Sequence, residues 1–276
     1  MKRIFILLSG ICFALTGLAQ TDTTQTKEGD TIKIGNMVII KKGKGQRSDS
    51  EDEVRVRRRR GHRSSNISTN WGIVDLGFAN FKDETNYAAA QASGFLAPNV
   101  GEDQFDLRGG KSVNVNVWFF MQRLNVIKHV VNLKYGLGLE LNNYRFDDDI
   151  KFLKNPTRII LMGGDSTYRK NKLAADYLTV PFMLNFNFTP RREEGFGLSV
   201  GVSAGYLYSA RQKFKGGPGD KFKEHDDFDL RRWKLSYIGE LQLGPVKLYG
   251  SCAHESMFDK ALDMTPYAVG VRFSNW

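Results

Sequence analysis

A regular alternation of apolar and polar residues at positions 173–213 constrains the fold of this chain more than any other feature. The alternation has a period of two and is interrupted at the polar stretch 189–195. Side chains of a β-strand point to opposite faces in turn, so this period predicts two long strands joined by a tight turn. The large apolar residues share one face: Leu178, Val180, Phe182, Leu184, Phe186 and Phe188 in the first strand, and Phe196, Leu198, Val200, Val202, Ala204, Tyr206 and Tyr208 in the second. The other face is small or polar, which is typical of a membrane barrel with lipid outside.

The length of these strands separates two β architectures. A secreted β-sandwich also shows alternation, but its strands commonly have about 5–6 residues. The second strand here extends over 196–211, and a membrane barrel strand needs about 9–11 residues to cross the apolar layer. The pattern therefore favours a transmembrane barrel, with a soluble sandwich as the alternative.

The same alternation continues from Asn70 to the C-terminus and predicts an all-β domain of eight antiparallel strands. An even number is the rule for single-chain bacterial barrels. The predicted strands cover residues 71–81, 111–123, 130–146, 173–188, 196–211, 231–243, 246–255 and 267–273. In the second of them, we expect one face to carry Val113, Val115, Val117, Phe119 and Met121. A hairpin within 148–162 leaves ten strands as an alternative, although we expect it to extend a loop.

The connections between the predicted strands alternate in length. The links at 125–128, 190–195 and 244–245 are short, whereas those at 82–110, 147–172, 211–230 and 256–266 are long. Short periplasmic turns and longer outer loops are typical of outer membrane barrels. This pattern predicts that both chain termini lie on the periplasmic side.

The N-terminus has the features of a secretory signal peptide. Lys2 and Arg3 precede an apolar run that ends in small residues, and we predict cleavage after Ala19. Removal of this segment lowers the formal net charge from +10 to +8. Cys12 follows the bulky Ile11 and is not expected to be a lipoprotein site. Cys252 is then the remaining cysteine, so we expect no internal disulfide, and no run is long enough for a transmembrane helix.

Residues 20–69 have a different composition, and we predict a basic, mostly disordered periplasmic tail that precedes a barrel at 70–276. A short hairpin is predicted around Gly35 and Asn36. Blocks of like charge usually stay disordered. One basic block could contact an anionic partner such as lipid phosphates or the cell wall, and its arginines are Arg55, Arg57, Arg58, Arg59 and Arg60. Export argues against a nucleic-acid partner.

Several charged residues fall on the predicted interior face of the barrel: Lys134, Glu140, Lys234, Glu240 and Arg272. An eight-stranded barrel is just wide enough for side chains to fill its interior, and buried charges need partners. We therefore predict an internal ion-pair network that fills the barrel. A proton or ion path is the functional alternative.

Three segments resemble a known family. The strand at 177–188, with Val180 and Pro181 at its centre, resembles a strand of the PorT-like outer membrane β-barrel proteins of Bacteroidetes. Residues 197–211 resemble the next strand of that family, and 267–273 resemble its closing strand. The resemblance implies an eight-stranded barrel in the outer membrane of a Gram-negative cell. Its named member serves type IX secretion, a role that these residues do not carry over.

The sequence offers little evidence of catalysis. Ser251, His254, Glu255 and Ser256 are close in sequence at the outer end of a strand, which leaves a lipid- or lipopolysaccharide-modifying enzyme as an alternative. Acidic loop residues at 147–149 and 225–229 match no known cation loop. We expect no catalytic residues, no metal and no cofactor.

The prediction is therefore an integral outer membrane barrel with a structural or envelope-interaction role. A small pore or a secretion-system component is a further alternative. The expected partners are outer membrane lipids and lipopolysaccharide, the barrel assembly machinery during biogenesis, and a periplasmic or cell-wall partner of the basic tail. Trp276 is terminal and aromatic, as barrel proteins often are, but it is out of phase with Phe273, Val271 and Val269.

Overall fold

The computed structural model describes residues 31–34, 37–40, 65–162, 170–190, 195–216 and 221–274. The chain divides into two compact units, Met1–Gly61 and His62–Trp276. In the first unit, β1 (Thr31–Ile34) and β2 (Met37–Ile40) pair antiparallel, with Thr31 opposite Ile40. The predicted signal peptide and the arginine block at 55–60 lie outside the described residues.

The second unit is a closed barrel of eight antiparallel strands. The wall strands are β3 (Ile67–Asp83), β4 (Val113–Ile127), β5 (Val131–Phe146), β8 (Lys170–Asn187), β9 (Phe196–Lys215), β11 (Trp233–Leu243), β12 (Val246–Ala253) and β13 (Met264–Phe273). Each wall strand pairs with the next in this order, and β13 pairs with β3 to close the ring. The prediction of eight strands is confirmed. Among the described residues, no helix is long and apolar enough to cross a membrane.

Three short strands lie outside the ring of eight. β6 (Ile150–Leu153) and β7 (Arg158–Leu161) form a separate two-stranded sheet. This is the hairpin expected within 148–162, and it belongs to a loop rather than to the wall. β10 (Lys221–His225) pairs with the distal end of β9. A short helix, α1 (Tyr87–Ala92), and a 3₁₀ turn (Glu102–Phe105) fill the first long loop.

The outward-facing residues form a continuous apolar belt around the barrel. Leu178, Val180, Phe182 and Leu184 of β8 are each at least 40% exposed, while Thr179 and Met183 between them are buried. In water such a belt would be an aggregation surface, whereas lipid chains solvate it. Aromatic residues flank the belt at both rims, as in outer membrane barrels. At the long-loop rim these are Phe78, Tyr206, Tyr208, Trp233, Tyr237 and Tyr267, and at the other rim Trp71, Phe119, Phe188, Phe196 and Phe273.

One residue of the predicted lipid face points inward. Phe119 is exposed, but Met121 is only 1% exposed and packs with Trp118 in the interior, so its predicted position was wrong. The register between β4 and β5 shifts by one residue between Trp118 and Phe120. A β-bulge of this kind adds one residue to a strand and exchanges the two faces beyond it.

Candidate functional site

The interior of the barrel is the most organised polar region of the described chain. Every second residue of β5 points into the barrel. The five charged residues that were predicted from the sequence to face the interior all do so. Lys134, Glu140, Glu240 and Arg272 are buried, and Lys234 is nearly so. β5 contributes one cation and one carboxylate, and so does β11.

Two ion pairs cross the interior between β5 and β11. Lys134 Nζ lies 2.6 Å from Glu240 Oε1, and Lys234 pairs with Glu140 in the opposite sense. In the ring, β8 and β9 separate these two strands. The pairs therefore bridge the barrel rather than brace neighbouring strands.

Arg272 of β13 connects this network to the strand that closes the barrel. Its guanidinium donates to Glu240 Oε2 at 2.5 Å, and to Asp75 Oδ1 and Oδ2 at 2.7 Å each. Asp75 is fully buried and also accepts from Trp118 Nε1 at 2.7 Å. Sequence reasoning missed Asp75. Asp75 lies on the same face of β3 as Ile73, Gly77 and Ala79, and this shared face was the signal that could have placed it inside.

A ladder of amides forms hydrogen bonds with polar groups around these charges. Asn114 donates to Asn142 Oδ1 at 2.8 Å and accepts from Tyr249 Oη at 2.5 Å. Asn142 in turn donates to Glu140 Oε1 at 3.1 Å. Buried polar groups of this kind are costly without partners, so each bond holds the network in one arrangement.

Glycines leave room for two large rings in this interior. A Cβ at Gly138 would lie 2.6 Å from Cε3 of Trp118, and one at Gly270 would lie 2.7 Å from Cε1 of Tyr249. The cavity that borders Trp118, Glu140 and Arg272 has a volume of about 20 Å³. That space holds about one water molecule, so this level of the barrel is filled.

The family is shown by comparison with known proteins. Residues 60–250, which is more than half of the chain, match the sequence profile of the family described as outer membrane protein beta-barrel domain. The chain belongs to this family. A search of curated proteins finds no match. The outer membrane is therefore the location of this β-barrel, and lipid is the solvent of its apolar belt.

An apolar core closes the long-loop end of this outer membrane β-barrel. We call it the cap. Phe152 of β6 lies at its centre, with its ring stacked on Phe258 at 6.2 Å and edge-on to Phe228 at 5.7 Å. Other buried members come from the loops and the inward ends of strands, and they include Ala90, Leu96, Val100, Phe105, Tyr144, Phe146, Ile150, Ile159, Leu173, Leu230, Met257, Leu262 and Met264. Sequence reasoning treated these loops as solvated and missed the cap.

The polar residues of the cap fix its loops. Gln212, fully buried, donates to Ile150 O at 2.9 Å and accepts from Phe152 N at 3.0 Å. Tyr87 donates to Asp83 Oδ2 at 2.5 Å. Burial, followed by this hydrogen bond and the charge of Asp83, raises the pKa of Tyr87. The hydroxyl therefore stays protonated as a donor.

The structure does not assemble the serine and histidine residues noted in the sequence. Ser251 alternates with the exposed Cys252 on β12, so Ser251 and His254 fall on opposite faces. His254 lies 3.3 Å from the exposed Tyr237 Oη. Ser256 Oγ donates to Leu262 O at 2.9 Å and accepts from Met264 N at 3.0 Å, a loop-forming arrangement.

The acidic loop residues are also dispersed. Asp147 pairs with Arg108 at 2.6 Å, whereas Asp229 lies 3.8 Å from Lys260. Within the ranges that the structure describes, no group of three or more His, Cys, Asp or Glu residues is arranged to hold a metal ion. A cavity of about 530 Å³ lies at the long-loop rim and is bordered by Tyr177, Arg231 and Trp233.

Proposed function

We propose that this outer membrane β-barrel is a closed, non-catalytic scaffold that acts by stabilising the membrane or by docking other envelope components. The observation that carries this proposal is the double closure of the barrel. Ion pairs and amides fill its interior, and the cap covers the long-loop end. An eight-stranded barrel leaves little space even before such filling.

Conductance tests this proposal against the alternative of a small pore. The purified full chain, inserted into planar lipid bilayers in 1 M KCl, is expected to give no stepwise current. A reproducible unitary conductance would overturn the closed-scaffold role and support the pore. Insertion itself is checked on the same sample by the gel mobility of unboiled protein.

The proposed orientation places the cap outside the cell and both termini in the periplasm. It is supported by the asymmetry of the connections, because β11 and β12 are joined through Gly244 and Pro245 at one end while the cap loops lie at the other. Short turns on the periplasmic side are the rule in this class. Cleavage after Ala19 and delivery through the barrel assembly machinery complete this proposal.

The basic tail is the proposed contact with an anionic periplasmic or cell-wall partner. The supporting feature is the run of five arginines between Arg55 and Arg60. Such binding is screened by salt. Pull-down from envelope extracts at about 0.05 M and 0.5 M salt is expected to weaken for the full chain. Equal capture by a variant lacking residues 50–63 would contradict the tail contact.

Two finer assignments belong to the same proposal. The PorT-like resemblance of residues 177–188 supports a relative of those Bacteroidetes barrels, with a role in secretion as one form of docking. A lipid-modifying enzyme is the rival, and it gains no support from the separation of Ser251 and His254. Incubation of the protein with lipopolysaccharide and phospholipid is expected to leave both intact. Turnover that is lost in Ser251→Ala or Ser256→Ala would establish the enzyme.

A further inference from the structure

The outer surface of β5, β8, β9 and β10 carries a row of cations just beyond the apolar belt. Four of them are direct neighbours across adjacent strands: Arg145 lies opposite Lys172, Lys172 opposite Lys213, and Lys213 opposite Lys223. Lys170 lies opposite Lys215 in the next row. We call these six residues the basic face.

Like charges directly opposite on a sheet repel and destabilise the pairing. Among the described residues, no carboxylate lies within 4 Å of four of these lysines, which are Lys170, Lys213, Lys215 and Lys223. Lys172 donates to the amide oxygen of Asn143 at 2.5 Å rather than to an acid. Within the described part of the chain, the charges of these five lysines are therefore not neutralised by a direct carboxylate partner.

One carboxylate lies among the outward positions of these strand ends. Asp176 is buried beneath the basic face and pairs with Arg211. Asp147, in the loop after β5, is taken up by Arg108. Glu224 alternates to the other side of β10 and pairs with Lys151 at 2.9 Å. These three acids are thus paired with cations outside the basic face.

The cations of the basic face also affect the pKa of a histidine at the edge of this surface. The pKa of His225 is lowered, first by desolvation and then by the charges of Lys223, Arg211, Lys154 and Lys213. His225 lies opposite Arg211 on β9. Anions are the ligands that such a surface attracts.

The position of the basic face relative to the membrane indicates the source of the anion. Lys213 lies five residues beyond Tyr208, the last aromatic residue of the belt on β9. At about 3.3 Å per residue and a tilt of about 45°, it lies about 12 Å above the belt. Phosphates at the top of a lipid leaflet, and the charged sugars above them, lie at this height.

Elsewhere at the same end of the barrel, exposed cations have acidic partners. Lys82 pairs with Glu84 at 2.7 Å, and Arg231 pairs with Glu255 at 2.8 Å. Those two cations have acidic partners, whereas the row of lysines that face one another across strands lies on one side of the barrel. A ring of cations around the whole rim would serve general anchoring, whereas a one-sided face fits one bound molecule.

We propose that the basic face binds the phosphorylated headgroup of an outer-leaflet glycolipid, whose acyl chains lie on the apolar belt below it. This proposal rests on the proposed orientation, which places the face in the outer leaflet. Glycolipid binding would be one specific form of the proposed envelope-interaction role, with the glycolipid as the ligand. The strands hold the lysines about 4.8 Å apart across the sheet, so little order is lost when a rigid diphosphorylated sugar binds.

The test compares two triple variants of equal charge change. Lys172→Gln, Lys213→Gln and Lys223→Gln neutralise the row, while Lys82→Gln, Lys111→Gln and Lys260→Gln neutralise exposed lysines elsewhere at the same end. Each full-length protein, in a neutral detergent, is titrated with diphosphorylated lipid A and with its dephosphorylated form. Bound lipid is counted by native mass spectrometry. Unboiled gel mobility confirms that each variant is folded.

The row variant is expected to bind diphosphorylated lipid A about a hundredfold more weakly, because each lysine near an anionic surface contributes roughly fivefold. The control variant is expected to stay within about twofold of the parent. Equal affinity of the row variant, or equal affinity of the parent for dephosphorylated lipid, would overturn the proposal. Displacement by millimolar inorganic phosphate would also overturn it, in favour of a free-phosphate site.

The outcome is separable from that of the proposed function. A barrel that conducts ions would refute the closed scaffold and leave the lipid titration intact. A silent barrel that shows no preference for phosphorylated lipid would refute the glycolipid site alone.

Discussion

The barrel interior and the cap follow opposite rules, although the same strands build both. Along β5 the inward residues change from Lys134 and Glu140 within the membrane level to Tyr144 and Phe146 in the cap. Over the same distance the outward residues change from Leu139 and Leu141 to Arg145. The polarity of the wall thus inverts along a single strand.

The inversion follows the solvent outside the wall. At the belt, lipid surrounds the protein, so apolar residues face out and the polar network faces in. Beyond the belt, water surrounds it, and the ordinary arrangement of an apolar core with charged exterior returns. β8 repeats the change, from inward Thr179 with outward Leu178 to inward Leu173 with outward Lys172. The level at which the pattern inverts therefore marks the membrane boundary.

The two interiors are also held by different forces. The cap gains stability by removing apolar area from water. The lower interior contains charges whose desolvation offsets much of their attraction. We expect loss of a single partner to be most costly in the lower interior and replacement of a whole pair to be tolerated there.

Arg272→Met should have the largest effect, because it leaves Asp75 buried without a cation and leaves Glu240 with Lys134 alone. The expected loss in the free energy of unfolding is about 3–5 kcal/mol. Urea unfolding in lipid vesicles, followed by unboiled gel mobility, measures it. Arg231→Met is the control, since its partners at the rim are half-exposed and their loss costs about 1 kcal/mol or less. Equal losses in both variants would mean that the buried network does not dominate.

Phe152→Ala tests whether the cap is a separate unit. Removing the central ring is expected to cost about 3–5 kcal/mol, but locally, so the loops become sensitive to protease while the barrel keeps its unboiled mobility. Phe222→Ala, at a position 57% exposed, is the control and should change neither. Simultaneous loss of cap and barrel in Phe152→Ala would show one cooperative core instead of two.

A double-mutant cycle on Lys234 and Glu140 measures the energy of one ion pair across the barrel. Glu140→Gln keeps the acceptor for Asn142 but removes the charge that faces Lys234. The loss of unfolding free energy in the double variant Glu140→Gln, Lys234→Met is expected to be smaller than the sum of the losses in the two single variants. The difference, which is the coupling energy, should be about 1–3 kcal/mol. The same urea titration measures all four proteins. Additivity within about 0.5 kcal/mol would refute a cross-barrel pair.

Ser256→Ala should have the smallest effect. Its hydroxyl joins Leu262 and Met264 across a loop of the cap, so about 1 kcal/mol is expected to be lost, seen as faster proteolysis between β12 and β13. Ser251→Ala, on the wall, is the matched control and should lie within about 0.5 kcal/mol of the parent. A larger loss in Ser251→Ala would place the more important hydroxyl in the wall.

Sequence reasoning predicted the wall because its signal is continuous. Period-two alternation over 130–146 or 173–188 allows one strand assignment, and the same alternation placed Lys134, Glu140 and Arg272 inside. Where a bulge interrupts the period, the assignment failed, as at Met121. A single inserted residue leaves composition unchanged, so the sequence carries no clear mark of it.

The cap was not predicted because its residues have no shared period. Phe105, Phe152, Phe228 and Phe258 come from separate loops and meet only after the barrel has closed. The inversion of polarity near Leu173 was visible in the sequence, however. Comparing the two faces of β8 residue by residue would have predicted an apolar core above the membrane.

The barrel and its orientation are tested most directly by the heat-dependent gel mobility of the protein in outer membrane fractions, combined with protease added to intact cells. We expect a mobility shift between boiled and unboiled samples and recovery of the protein with the outer membrane. Cleavage should be confined to the long loops and should be slow, because the cap is packed. Release as a soluble protein with no shift would contradict the barrel. Cleavage at the short turn 188–195 of intact cells would contradict the orientation.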